Sequence, residues 1–322
     1  METFDGRIAV VTGGGSGMGR ELAVQLAHQG CHVATCDQFE DTAEETRKLA
    51  SEGAPAGTSV SAFRADVTDE SQILSFRDSV ASELGTDHID LLFNNAGMGG
   101  GGSFVSDRRE EWDHTFAVDW SGVYLMTRAF LPMLLKSDEG HLVNTSSVNG
   151  FFASIGPRLP HTAYSTAKFA IRGFTEALIA DFRVNAPHLH AHVVMPGHIG
   201  TSIVINTAKA LGRSPQTLDD DEIQRLRKTI EGGGVPLDGV SDDDLRMGMQ
   251  MMAERFRDNA PLTAAGAATV ILDGVRQDKW RILVGDDAVI LDEAVRADPE
   301  HAYEVEFFED LRARGVFGTF QL

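Results

Sequence analysis

The sequence predicts a doubly wound α/β domain, a parallel sheet of about seven strands with helices on both faces. Short apolar runs alternate with longer segments of helical period up to about residue 200. A glycine cluster stands directly between the first run and the first helical segment. The composition, 42% apolar and 24% charged over 322 residues, is that of a folded globular chain. Residues 1–322 are therefore read as one large domain.

The strand candidates are 7–12, 32–37, 59–64, 89–94, 140–146 and 190–195, each short, apolar and bounded by turn residues. Between the first two, Met18, Leu22 and Leu26 recur every four residues and give a helix one apolar stripe. A helix over 266–277 and a strand over 280–284 complete seven strands. The stretch 198–261 is too long for a plain connection and carries its own helical patterns at 219–231 and 242–258, each opened by acidic residues suited to a helix N-terminus. It is read as a variable segment that selects substrate or acts as a lid. Residues 286–322 form a C-terminal extension with helical pattern at 288–296 and 300–314.

Twenty-eight Lys and Arg against 48 Asp and Glu give a net charge of −20, which repels a phosphate backbone and argues against nucleic acid as partner. No apolar run approaches the roughly 18 residues that a spanning helix needs, and the N-terminus has no basic segment ahead of an apolar one. No membrane partner is expected, and the location expected is cytoplasmic. Cys31 and Cys36 lie in one extended segment, some 16 Å apart, and are read as reduced core thiols.

After the first strand comes TGGGSGMG, 12–19, opening directly into the first helix. Gly13, Gly17 and Gly19 let the backbone turn sharply and approach a pyrophosphate, which then meets the positive helix end beside Ser16 and Met18. This is a Rossmann-type arrangement. Asp37 ends the second strand about 20 residues beyond Gly17, where a carboxylate accepts both adenosine ribose hydroxyls and repels a 2′-phosphate. Neither Ser16 nor Gln38 supplies a cation to offset that repulsion, so NAD is the cofactor expected over NADP.

Tyr164 and Lys168 are four apart at the start of a helical segment and share a face, about 6 Å from each other. An ammonium beside a phenol favours phenolate, so the pair suits general acid–base work. With the remaining motifs, the chain resembles the classical short-chain dehydrogenase/reductase family over roughly residues 7–201. NNAG at 94–97 is similar to the family's turn after the fourth strand, and Asp66 and Val67 to its adenine-contacting pair. Ser147 matches the substrate-orienting serine, and Tyr164 and Lys168 match the YxxxK motif. PGHIGT, 196–201, matches the segment after the sixth strand that meets the nicotinamide amide. The resemblance implies cofactor contacts from Asn95, Ala96, Gly97, Pro196, Gly197, Ile199 and Thr201. It also implies that Ser147 and Tyr164 hold the alcohol or carbonyl oxygen while Lys168 holds the nicotinamide ribose. Homodimers or homotetramers, built on the helices that hold Asp119 and Tyr164, follow from it too.

Two departures stand out. Asp119 occupies the position where the family usually carries Asn, so its catalytic role is carried over through its main-chain carbonyl, with the carboxylate either reinforcing the Lys168 charge or altering the proton path. The spacing of 17 residues from Ser147 to Tyr164 is longer than usual, and Phe151 and Phe152 in that loop predict an enlarged apolar rim to the pocket. With Ile199, Ile203 and a helix bearing Met247, Met249, Met251 and Met252, these predict a bulky apolar or aromatic substrate.

The expected activity is NAD-dependent oxidation of a secondary alcohol, or reduction of the ketone. The alternatives are a non-catalytic NAD-binding regulatory protein, for which Asp119 speaks, and an NADP-dependent ketoacyl-type reductase, which Asp37 disfavours. His188, His190 and His192 alternate at strand spacing, but they enter the sixth strand at the end opposite the usual site, so no metal is expected. His161 and His198 flank motif residues and are candidates for either substrate contact or a structural role.

Overall fold

Seven parallel strands form one sheet, in the spatial order 60–64, 32–37, 8–12, 91–94, 140–145, 189–196 and 281–284. The structure is a computed structural model that describes residues 1–157, 159–214, 218–232 and 235–316. Its strands are β1 (Ile8–Thr12), β2 (His32–Asp37), β3 (Val60–Arg64), β4 (Leu91–Asn94), β5 (Gly140–Thr145), β6 (Leu189–Pro196) and β9 (Arg281–Val284). All seven predicted strands are present, shifted by a residue or two at their ends. The strand order reverses between β1 and β4, and a crevice opens there at the carboxyl ends of the strands.

Helices α1 (Gly17–His28), α2 (Glu40–Glu52), α3 (Glu70–Leu84), α4 (Arg109–Phe116), α5 (Gly122–Leu134) and α6 (Thr162–Asn185) connect the strands through β6. Alternation along the strands divides the core between two faces. Ala9 and Val11 of β1 pack with Leu22 and Leu26 of α1 and with Ile271 and Leu272 of α10 (Ala264–Arg276). Val10 of the same strand packs with Phe76 of α3, Phe130 of α5 and Phe182 of α6. Side chains that alternate across a strand thus feed both layers at once. Cys31 and Cys36 are buried and unlinked.

The variable segment holds α7 (Ile203–Ala210), α8 (Asp220–Gly232) and α9 (Asp242–Asp258). Ser241 and Asp244 form a reciprocal capping box at the start of α9. The two ends of the segment are joined by a short parallel pair, β7 (Ile199–Gly200) with β8 (Leu262–Thr263). Two-residue strands carry no readable period, so the sequence did not disclose this clasp.

After β9 the chain forms α11 (Asp286–Ala297) and α12 (Val305–Ala313), the latter shorter at its start than its pattern suggested. Leu291, Phe308 and Leu311 of these helices pack on Val193 and Met195 of β6 and on Phe152. Residues 317–322 of the predicted extension lie outside the described residues. Among the described residues, no helix is long and apolar enough to cross a membrane.

Candidate active site

The glycine loop is held by contacts that leave no room for side chains. Gly13 turns at φ +64°, and a Cβ there would stand 2.7 Å from the Ala96 Cα, so the loop after β1 meets the turn after β4 backbone to backbone. Thr12 fastens the two. Its hydroxyl accepts from the N–H groups of Asn95 and Ala96, each at 3.0 Å, while the Asn95 amide donates to the Thr12 carbonyl at 3.1 Å. A Cβ on Gly19 would run into the Gly13 carbonyl, so α1 packs directly under the loop and its N-terminus faces the crevice.

A cavity of about 420 Å³ fills that crevice. Its wall contains Gly13, Ser16, Gly17, Met18, Asp37, Asp66, Val67, Asn95, Ala96, Gly97 and Thr201, eleven of the sequence-predicted cofactor residues from five separate segments. Asp37 closes one end. Its two oxygens accept from Gly15 N–H and Phe39 N–H at 3.0 Å each, and burial pushes its carboxyl above the ordinary value against those hydrogen bonds. Gly19, Pro196, Gly197 and Ile199 stand behind this wall rather than in it. Gly197 abuts the Asp287 carboxylate, which accepts from His198 N–H at 2.6 Å, and thereby ties the end of β6 to α11.

Beside the cavity lie the chemical residues. Lys168, almost wholly buried, makes an ion pair with Asp119 Oδ1 at 2.9 Å and donates to the Thr145 carbonyl at 3.2 Å. Its ammonium stands 5.1 Å from the centre of the Tyr164 ring. Asp119 reaches it because residues Ala117–Ser121 form a π-helical turn between α4 and α5, a local widening often found at functional sites. Burial works against the Lys168 ammonium, yet the Asp119 carboxylate and the Tyr164 phenol together outweigh it and hold the amine above its ordinary pKa. Burial likewise raises the Asp119 carboxyl, against the pull of Lys168.

By spacing alone, the Lys168 ammonium is expected to depress the Tyr164 phenol. In this structure the phenol lies above its ordinary value, because burial, with Asp119 adding to it, outweighs the Lys168 ammonium and a hydrogen bond with Ser147. Ser147 itself is buried at the start of a short 3₁₀ turn, Val148–Gly150, whose Asn149 N–H it accepts at 3.1 Å.

His161 stacks on Tyr164 with ring centres 4.6 Å apart, and burial drives its pKa down to about 4, so a neutral imidazole backs the phenol. The glycine run beside NNAG fixes the start of α6, since the Gly101 and Gly102 carbonyls accept from Ala163 N–H and Thr162 N–H, each at 2.9 Å. His198 bonds the Phe256 carbonyl at 2.7 Å and joins β6 to α9.

The expected apolar rim takes a different form. Phe152 is fully buried and stacks on Tyr303 at 5.1 Å and against Phe307 and Phe308, while Phe151 is buried beside the Arg281 guanidinium. These side chains are covered by the C-terminal helices, whose apolar faces offered them more contact than an open pocket does. Met247, Met251 and Met252 are exposed, and of the predicted pocket residues only Ile203 lines the cavity.

Several lining residues were not foreseen. From α7, Asn206 donates to Ser16 Oγ at 2.9 Å, Thr207 accepts from Gly99 N–H at 2.9 Å, and Lys209 places its ammonium 3.8 Å from the Phe39 ring centre. No local motif marks these residues, because tertiary folding alone brings α7 across the crevice.

The short chain dehydrogenase family model matches residues 7–212. The chain belongs to the short-chain dehydrogenase/reductase family. It is 36% identical over 226 residues to a putative oxidoreductase, SadH, of Mycobacterium tuberculosis, covering 70% of this chain and 79% of that one. Among solved structures, it resembles a short-chain dehydrogenase/reductase from Burkholderia phymatum in complex with NAD, with a TM-score of 0.74, 26% identity, and 93% and 96% of the two chains covered. Levodione reductase is similar at a TM-score of 0.65 and 25% identity, covering 89% of this chain and 99% of that one. This short-chain dehydrogenase/reductase is thus an oxidoreductase with the family's dinucleotide-binding fold.

Proposed function

We propose that the chain is an NAD-dependent dehydrogenase of secondary alcohols, or a reductase of the corresponding ketones. The observation that carries this reading is the convergence of Ser147, Tyr164 and Lys168 beside the crevice lined by the glycine loop. The close-packed glycine cradle, the α1 N-terminus and the Asp37 carboxylate suit the pyrophosphate and adenosine ribose of NAD. When bound, the nicotinamide supplies the hydride acceptor or donor.

In the oxidative direction the Tyr164 oxygen takes the alcohol proton while the Ser147 hydroxyl holds the same substrate oxygen. Lys168 keeps a positive charge beside the Tyr164 phenolate that accepts this proton, and Asp119 helps to keep Lys168 charged. In reduction the Tyr164 hydroxyl returns that proton to the carbonyl oxygen. The segment 198–261 selects the substrate through α7, whose Ile203 borders the cavity. Tyr124 on α5 and Phe169 on α6 leave apolar area exposed, which supports assembly through these helices as a homodimer or homotetramer.

The tight hold of Asp119 on Lys168, with Tyr164 raised, favours a second reading in which NAD occupancy acts without turnover. The deciding experiment follows NADH at 340 nm with NAD and NADP across aromatic, alicyclic and aliphatic secondary alcohols. Tyr164→Phe serves as control. Turnover with NAD that is lost in the variant supports the enzyme reading. Tight NAD binding with no turnover on any alcohol, nor on the matching ketones with NADH, overturns it.

A further inference from the structure

At the amino-terminal ends of β5 and β6, opposite the crevice, four side chains form a polar cluster inside the apolar core edge. His141 and His192 are fully buried, and the rings of His141 and His190 stack in parallel with centres 4.7 Å apart. The hydrogen bonds fix the tautomers. The Lys279 carbonyl can only accept, so His192 Nδ1 donates to it at 2.8 Å. A neutral His192 then presents Nε2 as an acceptor, and His141 Nδ1 donates to it, also at 2.8 Å.

His141 Nε2 is left as a bare lone pair. It is buried, has no hydrogen-bond partner among the described residues, and faces Glu139 Oε1 at 3.5 Å. Two electron-rich atoms so placed call for a cation between them. The Met1 ammonium reaches the same Glu139 oxygen at 2.7 Å but makes no hydrogen bond with the imidazole nitrogen. His190 pairs through Nδ1 with Asp278 Oδ1 at 2.8 Å, which leaves its Nε2 as a second donor. One donor atom each from Glu139, His141 and His190 lie within 4.8 Å of one another.

We propose that Glu139, His141 and His190 form a zinc site at the end of the sheet remote from the cofactor crevice. Two imidazoles and one carboxylate are a donor set suited to zinc, with the fourth position filled by water. The outer contacts fit as well. Ligating histidines characteristically donate their other N–H to a neighbouring acceptor, as His190 does to Asp278 and His141 does to His192. Glu139 and His190 are about a third exposed, which gives the ion an entry path. Bound there, zinc joins the loop before β5 to β5 and β6 and serves stability rather than hydride transfer.

The test uses the full chain, dialysed against chelator and then titrated with zinc chloride in competition with a chromophoric chelator. Metal content is measured by mass spectrometry and the melting temperature with and without zinc. Cobalt(II) serves as a visible-absorption probe of nitrogen and oxygen ligation. The expected result is one tightly bound zinc per chain, a raised melting temperature, and binding weakened at least ~10-fold in both Glu139→Gln and His190→Asn. NAD binding is expected to be the same with and without zinc. Absence of stoichiometric zinc in the natural sequence overturns the proposal. So does zinc binding as tight in both variants as in the natural sequence, which assigns the metal to other surface histidines. Should His190→Asn fail to fold, Glu139→Gln and the cobalt spectrum of the natural sequence carry the decision.

Discussion

Replacing Asp119 by Asn removes one charge from the centre of the site while nearly preserving its shape. At 2.9 Å, and with an effective dielectric constant of about 20, the attraction between Asp119 and Lys168 is about 6 kcal/mol before desolvation. Burial opposes the Lys168 charge, so without the carboxylate the amine falls from its raised value. Asp119 also raises Tyr164, so its loss lowers the phenol. Both changes let the Tyr164–Lys168 pair release its first proton at lower pH.

The assay is phenolate absorbance near 295 nm, read as the difference between Asp119→Asn and the same protein carrying Tyr164→Phe. The chain has three tyrosines, so the difference isolates a single titration. A stability loss of about 1–3 kcal/mol accompanies the shift, because the ammonium is left buried with only part of its partner. An unchanged or upward phenolate midpoint in Asp119→Asn refutes the view that this carboxylate governs the proton affinity of the site.

Two further outcomes are expected. Converting Asp37→Ala together with Gln38→Arg removes the carboxylate at the ribose end of the cleft and adds a cation. The ratio of NADP to NAD affinity should rise at least ~10-fold, about 1.4 kcal/mol, and an unchanged ratio measured by fluorescence titration places the ribose contact elsewhere. His161 titrates at about 4 in the folded chain against 6.5 ordinarily. Between those values the unfolded chain takes up a proton that the folded chain refuses, so stability falls as pH drops from about 6.5 toward 4. At pH 4.5 the loss is about 2.5 kcal/mol, and His161→Phe, which keeps the stack on Tyr164, should flatten that slope in urea unfolding.

Much of this protein is legible in the chain itself. The short apolar runs in segments such as 7–12 and 89–94 report burial on both sheet faces, whereas the strand order is set only when the strands pair. The glycine loop and Asp37 carry their chemistry in local spacing, as do Tyr164 and Lys168, so their neighbourhood could be named before any coordinates. What tertiary structure alone decided depends on contacts between distant segments. Phe152 looked like a pocket wall and proved to be core, because Tyr303, some 150 residues later, comes to rest on it.

Asn206 and Lys209 carry no motif, and only the path of α7 across the crevice makes them part of it. The sign of the Tyr164 shift is likewise set by tertiary contacts. Sequence spacing reports that an ammonium is near, whereas burial and the approach of Asp119 from another helix determine which charge prevails. Periodicity and motif spacing are local properties that the chain carries in any conformation. Desolvation and the pairing of remote charges come into being only when the chain closes on itself.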